Sequence, residues 1–117
     1  MIGLRDIDEV FLNEVEKYKK LLIHEALLIE LSKRGYQDAK SNLGKAKQVF
    51  LIDVCLNYLG LGIDFMDLIN EAGAGLYEGI EHITDYQGDD INEFLKPYIE
   101  KAIQRAIDND AHSVNNQ

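Results

Sequence analysis

Proline and cysteine are almost missing from this 117-residue chain, with one of each, Pro97 and Cys55, and there is no tryptophan. A single proline leaves little to interrupt long helices. One cysteine excludes a disulfide within the chain and any zinc site made from cysteines of one copy. Cys55 stands in the largely apolar run from Val49 to Leu56, with no cation beside it. It is therefore expected to be a small buried hydrophobe rather than a reactive thiol. No apolar run approaches the ~18 residues of a membrane span. The opening residues, Met1 to Asp8, lack the charged-then-apolar pattern of a secretion signal. These absences predict a cytoplasmic protein with no membrane partner. No stretch alternates apolar and polar residues long enough to propose a sheet.

What is present is the composition of a globular protein, 46% hydrophobic and 28% charged. The length suits one domain, taken as residues 1–117 with a frayed polar tail from about 111 to 117. Helical spacing organises nearly all of it. Ile7, Phe11, Val15, Tyr18, Leu22, Ala26 and Ile29 form one stripe, which predicts a helix from about Asp6 to Lys33. Lys33-Arg34-Gly35 reads as its end, with cations at the negative pole of the helix and then a residue free to turn left-handed. Ala39, Leu43, Ala46, Phe50 and Val54 predict a second helix from about Gln37 to Leu59, broken by Gly60-Leu61-Gly62. Phe65, Ile69, Ala72, Leu76, Ile80 and Ile83 predict a third, from about Ile63 to Thr84, with Asp64 as its cap. A fourth begins at Asp89 or Asp90, where Asp90-x-x-Glu93 resembles a capping box, and carries Ile91, Leu95, Tyr98, Ala102 and Ala106. Pro97 lies past its first turn and predicts a kink or a restart. The fold class is all-α, a compact bundle of about four helices with short connections.

Two stretches are more apolar than one buried face requires, namely the end of the first helix and the second helix from Val49 to Leu59. Either they are covered on several sides or they meet a second copy. The latter predicts a homodimer through Ile23, His24, Leu27, Leu28, Leu31, Ile52, Leu56 and Leu59. Asn57, near the centre of the second stripe, is either a buried amide with partners or a sign that the helix has already frayed.

Charge is distributed unevenly. No lysine or arginine lies between Gln48 and Leu95, a stretch with ten acids. All the excess behind the formal net charge of −9 therefore sits there. At ~100° per residue, Asp64, Asp67, Glu71 and Glu78 share a sector of about 60° opposite the apolar stripe of the third helix. Glu81 and Asp85 extend the acidic side. A solvated face that aids solubility accounts for this. The sharper reading is a partner-binding face for a basic surface, since a concentrated field speeds encounter with a cationic protein.

No catalytic residue emerges. The carboxylates Asp64, Asp67, Glu71, Glu78 and Glu81 are of the type that holds magnesium in helical nucleotide hydrolases, but such sites need acids converging from facing helices. No histidine pair has metal-ligand spacing, and Gly73, Gly75 and Gly79 lack the preceding strand and the lysine of a phosphate loop. They suggest close helix approach instead. The expectation is a non-enzymatic acidic interaction module with no metal and no cofactor. Its partner would be a basic, nucleic-acid-binding protein, blocked in the manner of an inhibitor, an immunity protein or a phage product. Direct nucleic-acid contact is not expected at this net charge. A magnesium-dependent pyrophosphohydrolase and a self-assembling structural subunit are the alternatives. A small basic patch, Lys33, Arg34, Lys40, Lys45 and Lys47, surrounds the first interhelical turn.

Overall fold

Every regular element among the described residues is helical. The computed structural model describes residues 24–115, with side chains as far as Asp110, and the single helical position Asn13. Helix α1 runs Glu25–Lys33, α2 Gln37–Ala46, α3 Gln48–Leu56, α4 Phe65–Glu81 and α5 Ile91–Asn115, with a 3₁₀ turn at Ile83–Asp85. This fits the expected all-α set of about four helices, one of them broken in two. The chain divides into two compact units, Met1–Val49 and Phe50–Gln117. The part of the first expected helix before His24 lies outside the described residues, Asn13 excepted.

In the first unit, α1 and α2 pack as a helical hairpin. The end of α1 follows from Lys33-Arg34-Gly35. Gly35 takes φ +92°, the Gly35 amide donates to Ser32 O at 3.0 Å, and the Tyr36 amide donates to Leu31 O at 3.2 Å. That pair of bonds is a Schellman motif, which satisfies carbonyls the helix itself leaves open. The buried side of α1 is Leu28 and Ser32, whereas Ala26 is exposed and Ile29 half-buried. The expected stripe was displaced because this helix is apolar nearly all round, so periodicity alone does not choose its inner face.

The second expected helix is interrupted at Lys47, which ends α2 at φ −93°, ψ 9°. Lys47 is 3% exposed and its ammonium pairs with the Glu25 carboxylate. A lysine is this deeply buried only when paired, and the Gln48 side-chain amide donates back to Gly44 O at 3.1 Å across the break. Helix α3 then ends at Leu56, and the exposed Asn57 lies just beyond it, in the frayed position.

In the second unit, α4 and α5 carry the core. Asp64 caps α4, its Oδ2 accepting from the Met66 amide at 3.2 Å. Ile69, Ala72, Leu76, Ile80 and Ile83 are buried as the spacing predicts. Opposite them on α5 lie Ile91, Leu95, Ile99, Ala102, Ile103 and Ala106. The two helices approach at Gly75 and Gly79. A Cβ on Gly75 would meet Tyr98 O at 2.5 Å and Ala102 Cβ at 2.7 Å, and one on Gly79 would meet Leu95 Cδ2 at 2.9 Å. Contacts that step forward along α4 step backward along α5, so the pair is antiparallel. Asp90 opens α5, its Oδ1 accepting from the Asn92 amide at 3.1 Å. The helix does not restart at Pro97; it continues to Asn115, into the stretch expected to form the tail.

The two glycine environments predict opposite outcomes. Gly75→Ala drives a methyl into the α5 backbone and should lower unfolding stability by about 1–3 kcal/mol. Gly73 has nothing within 4 Å of a built Cβ, so Gly73→Ala should raise stability by about 0.5–1 kcal/mol. Urea denaturation of the two variants beside wild type measures both.

Candidate functional site

The acids expected to form one ridge separate into three roles. Asp64 is occupied at the α4 cap. Asp67, Glu71 and Glu78 share the exposed side of α4, and Glu81 is exposed on the last turn. Asp85 is exposed too, but in the 3₁₀ turn beyond the helix. The exposed side of α4 also carries Asn70, Ala74 and Tyr77. Gly73 and Ala74 keep its middle low. Glu78 is not isolated, since Arg105 Nη2 of α5 lies 3.6 Å from its Oε1, with both side chains about half exposed. At that exposure the pair is worth little. Near the start of α4, a hollow of about 360 Å³ is lined by Ile63, Asp67, Asn70, Glu71, Ala106, Asn109 and Asp110.

A second surface went unnoticed in the sequence. His82 stacks on Tyr98 with ring centroids 5.5 Å apart and 21° between planes. Phe94 sits 5.6 Å from Tyr98 and 5.5 Å from Tyr86. The row is fixed from both sides, because His82 Nδ1 lies 2.9 Å from Glu78 O and Tyr86 is buried. Tyr98, expected in the core stripe, is half-buried instead, because Ile99 takes the inward position. The signal available was Phe94 and Tyr98 four residues apart, which places both rings on one side of a helix. Alongside them, Lys96, Lys101 and Arg105, all exposed, are the only cations from residue 50 onward.

The residues expected at a dimer interface are divided between the two units. Ile23 lies outside the described residues. In the first unit His24 and Leu27 are exposed, Leu31 is half-buried and Leu28 belongs to the core. In the second unit Leu56 and Leu59 are about half exposed and Ile52 is half-buried. The Tyr58 hydroxyl donates to Glu100 Oε2 at 3.3 Å and ties the connection after α3 to α5. Burial first, and the Glu100 carboxylate second, raise the tyrosine above its ordinary pKa.

Among the described residues, no group of three or more His, Cys, Asp and Glu side chains could hold a metal ion. No helix there is long and apolar enough to cross a membrane. Cys55 is fully buried, as expected of a small hydrophobe.

No family model matches the chain. Curated relatives do match it, the following two among them. The chain is 28% identical over 116 residues to RNA polymerase sigma factor SigA of a Bacillus species, covering 97% of this chain and 30% of that protein. It is 28% identical over 114 residues to SigA of Clostridium acetobutylicum, with the same coverage. The chain thus spans about 30% of the length of the curated relatives it matches.

This similarity corrects the functional expectation. The relatives are sigma factors of RNA polymerase, neither inhibitors nor hydrolases nor structural subunits. Their kind agrees with the expectation that the chain is not an enzyme. It also removes the basis for a protein-only partner and for excluding nucleic acid, because RNA polymerase works on DNA. A net charge of −9 averages over two unlike stretches, since residues 1–49 hold nine bases against eight acids and residues 50–117 hold three against thirteen.

The buried thiol yields a prediction. Burial pushes the Cys55 pKa up from 9.0 to about 11, so the fold favours the neutral form. Stability linked to this group is complete below pH 9 and falls as pH rises from 9 toward 11. Iodoacetamide should label native Cys55 slowly at pH 8 and rapidly in guanidinium. Equal rates in the two conditions would contradict the burial.

Proposed function

We propose that this chain works in transcription as a sigma-type segment that engages RNA polymerase. The observation that carries this reading is the similarity to two SigA proteins along 97% of the chain. A likeness that long extends beyond any single motif and includes both the α1–α2 and α4–α5 hairpins.

Local geometry supports a contact through the exposed side of α4. Asp67, Asn70, Glu71, Ala74, Tyr77, Glu78 and Glu81 lie there on a rigid, capped helix. Gly73 is unexplained by packing within the protein, because open space surrounds it and glycine costs about 1 kcal/mol relative to alanine inside a helix. A partner backbone seated closely over Gly73 and Ala74 accounts for it. Of the acids expected to bind a partner, Asp67, Glu71, Glu78 and Glu81 belong to this contact, with Asp64 and Asp85 at its two ends. DNA held by the polymerase lies within the working environment of such a segment, and a cytoplasmic location goes with the role.

The test is capture of purified Bacillus core RNA polymerase by the immobilised chain. Wild type should retain the polymerase. Ala74→Arg, which blocks close approach on an exposed position, should reduce capture at least tenfold with no loss of thermal stability. Failure of the folded wild type to retain any polymerase would contradict the reading.

A further inference from the structure

The basic α1–α2 turn has no place in the polymerase contact described above. From Lys33 to Lys47 the sequence holds five cations and one acid, Asp38. Lys47 is withdrawn from the surface by burial against Glu25. Of the others, Arg34 is exposed and Lys33, Lys40 and Lys45 are half-buried. Tyr36 projects from the middle of this patch. It is 60% exposed, the highest value among the large hydrophobic side chains described. Its carbonyl accepts from the Lys40 amide at 3.1 Å, so Tyr36 and Lys40 rise on one side of α2, one turn apart. The turn is an aromatic knob with a cation before it and another after it.

The exposed side of α4 has the opposite form. Ala74 lies there with Asn70, Glu71, Tyr77 and Glu78, all exposed, one turn away on either side. The small methyl therefore marks a notch framed by four longer side chains. Glu71 and Glu78 stand on one flank, seven residues and about 10 Å apart along the helix. Tyr77, 39% exposed, stands on the other. Asp67 and Glu81 carry the negative charge beyond both ends of the notch, and no lysine or arginine lies between Gln48 and Leu95. Arg105 is the cation near Glu78, at 3.6 Å in an exposed pair.

We infer that these two surfaces take each other in a second copy of the chain. The Tyr36 ring seats over Ala74 against Tyr77, while Arg34 and Lys40 meet Glu71 and Glu78. Charge complementarity selects this pairing, because turn against turn and α4 against α4 would each set like charges together. The contact joins unlike surfaces, head to tail, and uses none of the residues expected at an apolar dimer interface. Exposed ion pairs are individually weak and are screened by salt, so the contact forms at high protein concentration and is released by dilution. Self-association covers the side of α4 assigned to polymerase and withholds it. That consequence rests on the polymerase reading; the self-contact rests on the two surfaces alone.

Sedimentation velocity of the full chain, in the absence of polymerase, tests this. At about 0.1 M salt the Debye length is ~10 Å, so the contact responds to local charge more than to the net charge of −9. The average mass of wild type should then rise with concentration. At about 1 M salt, where the Debye length is ~3 Å, it should stay that of a monomer. Arg34→Glu/Lys40→Glu and Glu71→Lys/Glu78→Lys should each be monomeric alone. Their equimolar mixture should associate, because the reversed turn of one meets the reversed α4 of the other and the two unreversed surfaces also match. Tyr36→Ala should weaken wild-type association roughly two- to tenfold. Circular dichroism confirms folding of each variant. A wild type that stays monomeric at 0.1 M salt at every concentration, or a mixture that stays monomeric, would overturn the inference. Association that survives 1 M salt or both reversals would place the contact on the exposed Leu56, Leu59 and Leu61 and overturn it equally. Arg34→Glu/Lys40→Glu leaves α4 intact and should still capture polymerase, so the two readings fail separately.

Discussion

The second unit depends on two helix backbones being allowed to approach more closely than side chains would permit. Gly75 admits the carbonyl of Tyr98 and the methyl of Ala102, and Gly79 admits Leu95 and the Tyr98 ring. Once that approach is fixed, the antiparallel register of α4 and α5 follows. So does the placing of His82 against Tyr98, since Gly79 leaves room for that ring. The polar side of α4 is turned outward by the same packing, because Leu68, Ala72, Leu76 and Ile80 must fill the space beside the glycines. The propensity cost of two helical glycines, about 1 kcal/mol each, is offset by the dispersion contacts of a close seam.

Much of this was legible in the sequence, and the failures have specific causes. The α4 stripe, its Asp64 cap, the outward Asp67, Glu71 and Glu78, and the Lys33-Arg34-Gly35 stop all follow from local chemistry, and local chemistry decided them. The break at Lys47 was hidden because the buried pairing of Lys47 with Glu25, 22 residues earlier, is a tertiary contact that local propensity does not announce. The inner face of α1 was hidden because apolar residues surround that helix. The aromatic row was hidden because Tyr98 fits a core stripe as well as Ile99 does, and only packing against α4 chose between them.

Function was the least legible part, for a reason rooted in electrostatics. A charge total describes a far field, while recognition takes place within about a Debye length, roughly 10 Å at 0.1 M salt. Over that distance the α1–α2 turn is basic and the α4 face acidic, and a net charge of −9 describes neither. The acidic side is real, yet a field has no power to name its partner. Similarity to sigma factors underlies the proposal of RNA polymerase as partner, and the exposed side of α4 is a low, capped helix face.

If the chain engages RNA polymerase as its relatives do, it shares a site with them. The most direct measurement is competition, in which core polymerase carrying labelled full-length SigA is titrated with the unlabelled chain. The account predicts displacement of SigA as the chain saturates the enzyme, with no ternary complex. Simultaneous binding of both proteins, each at its undiminished affinity, would contradict it.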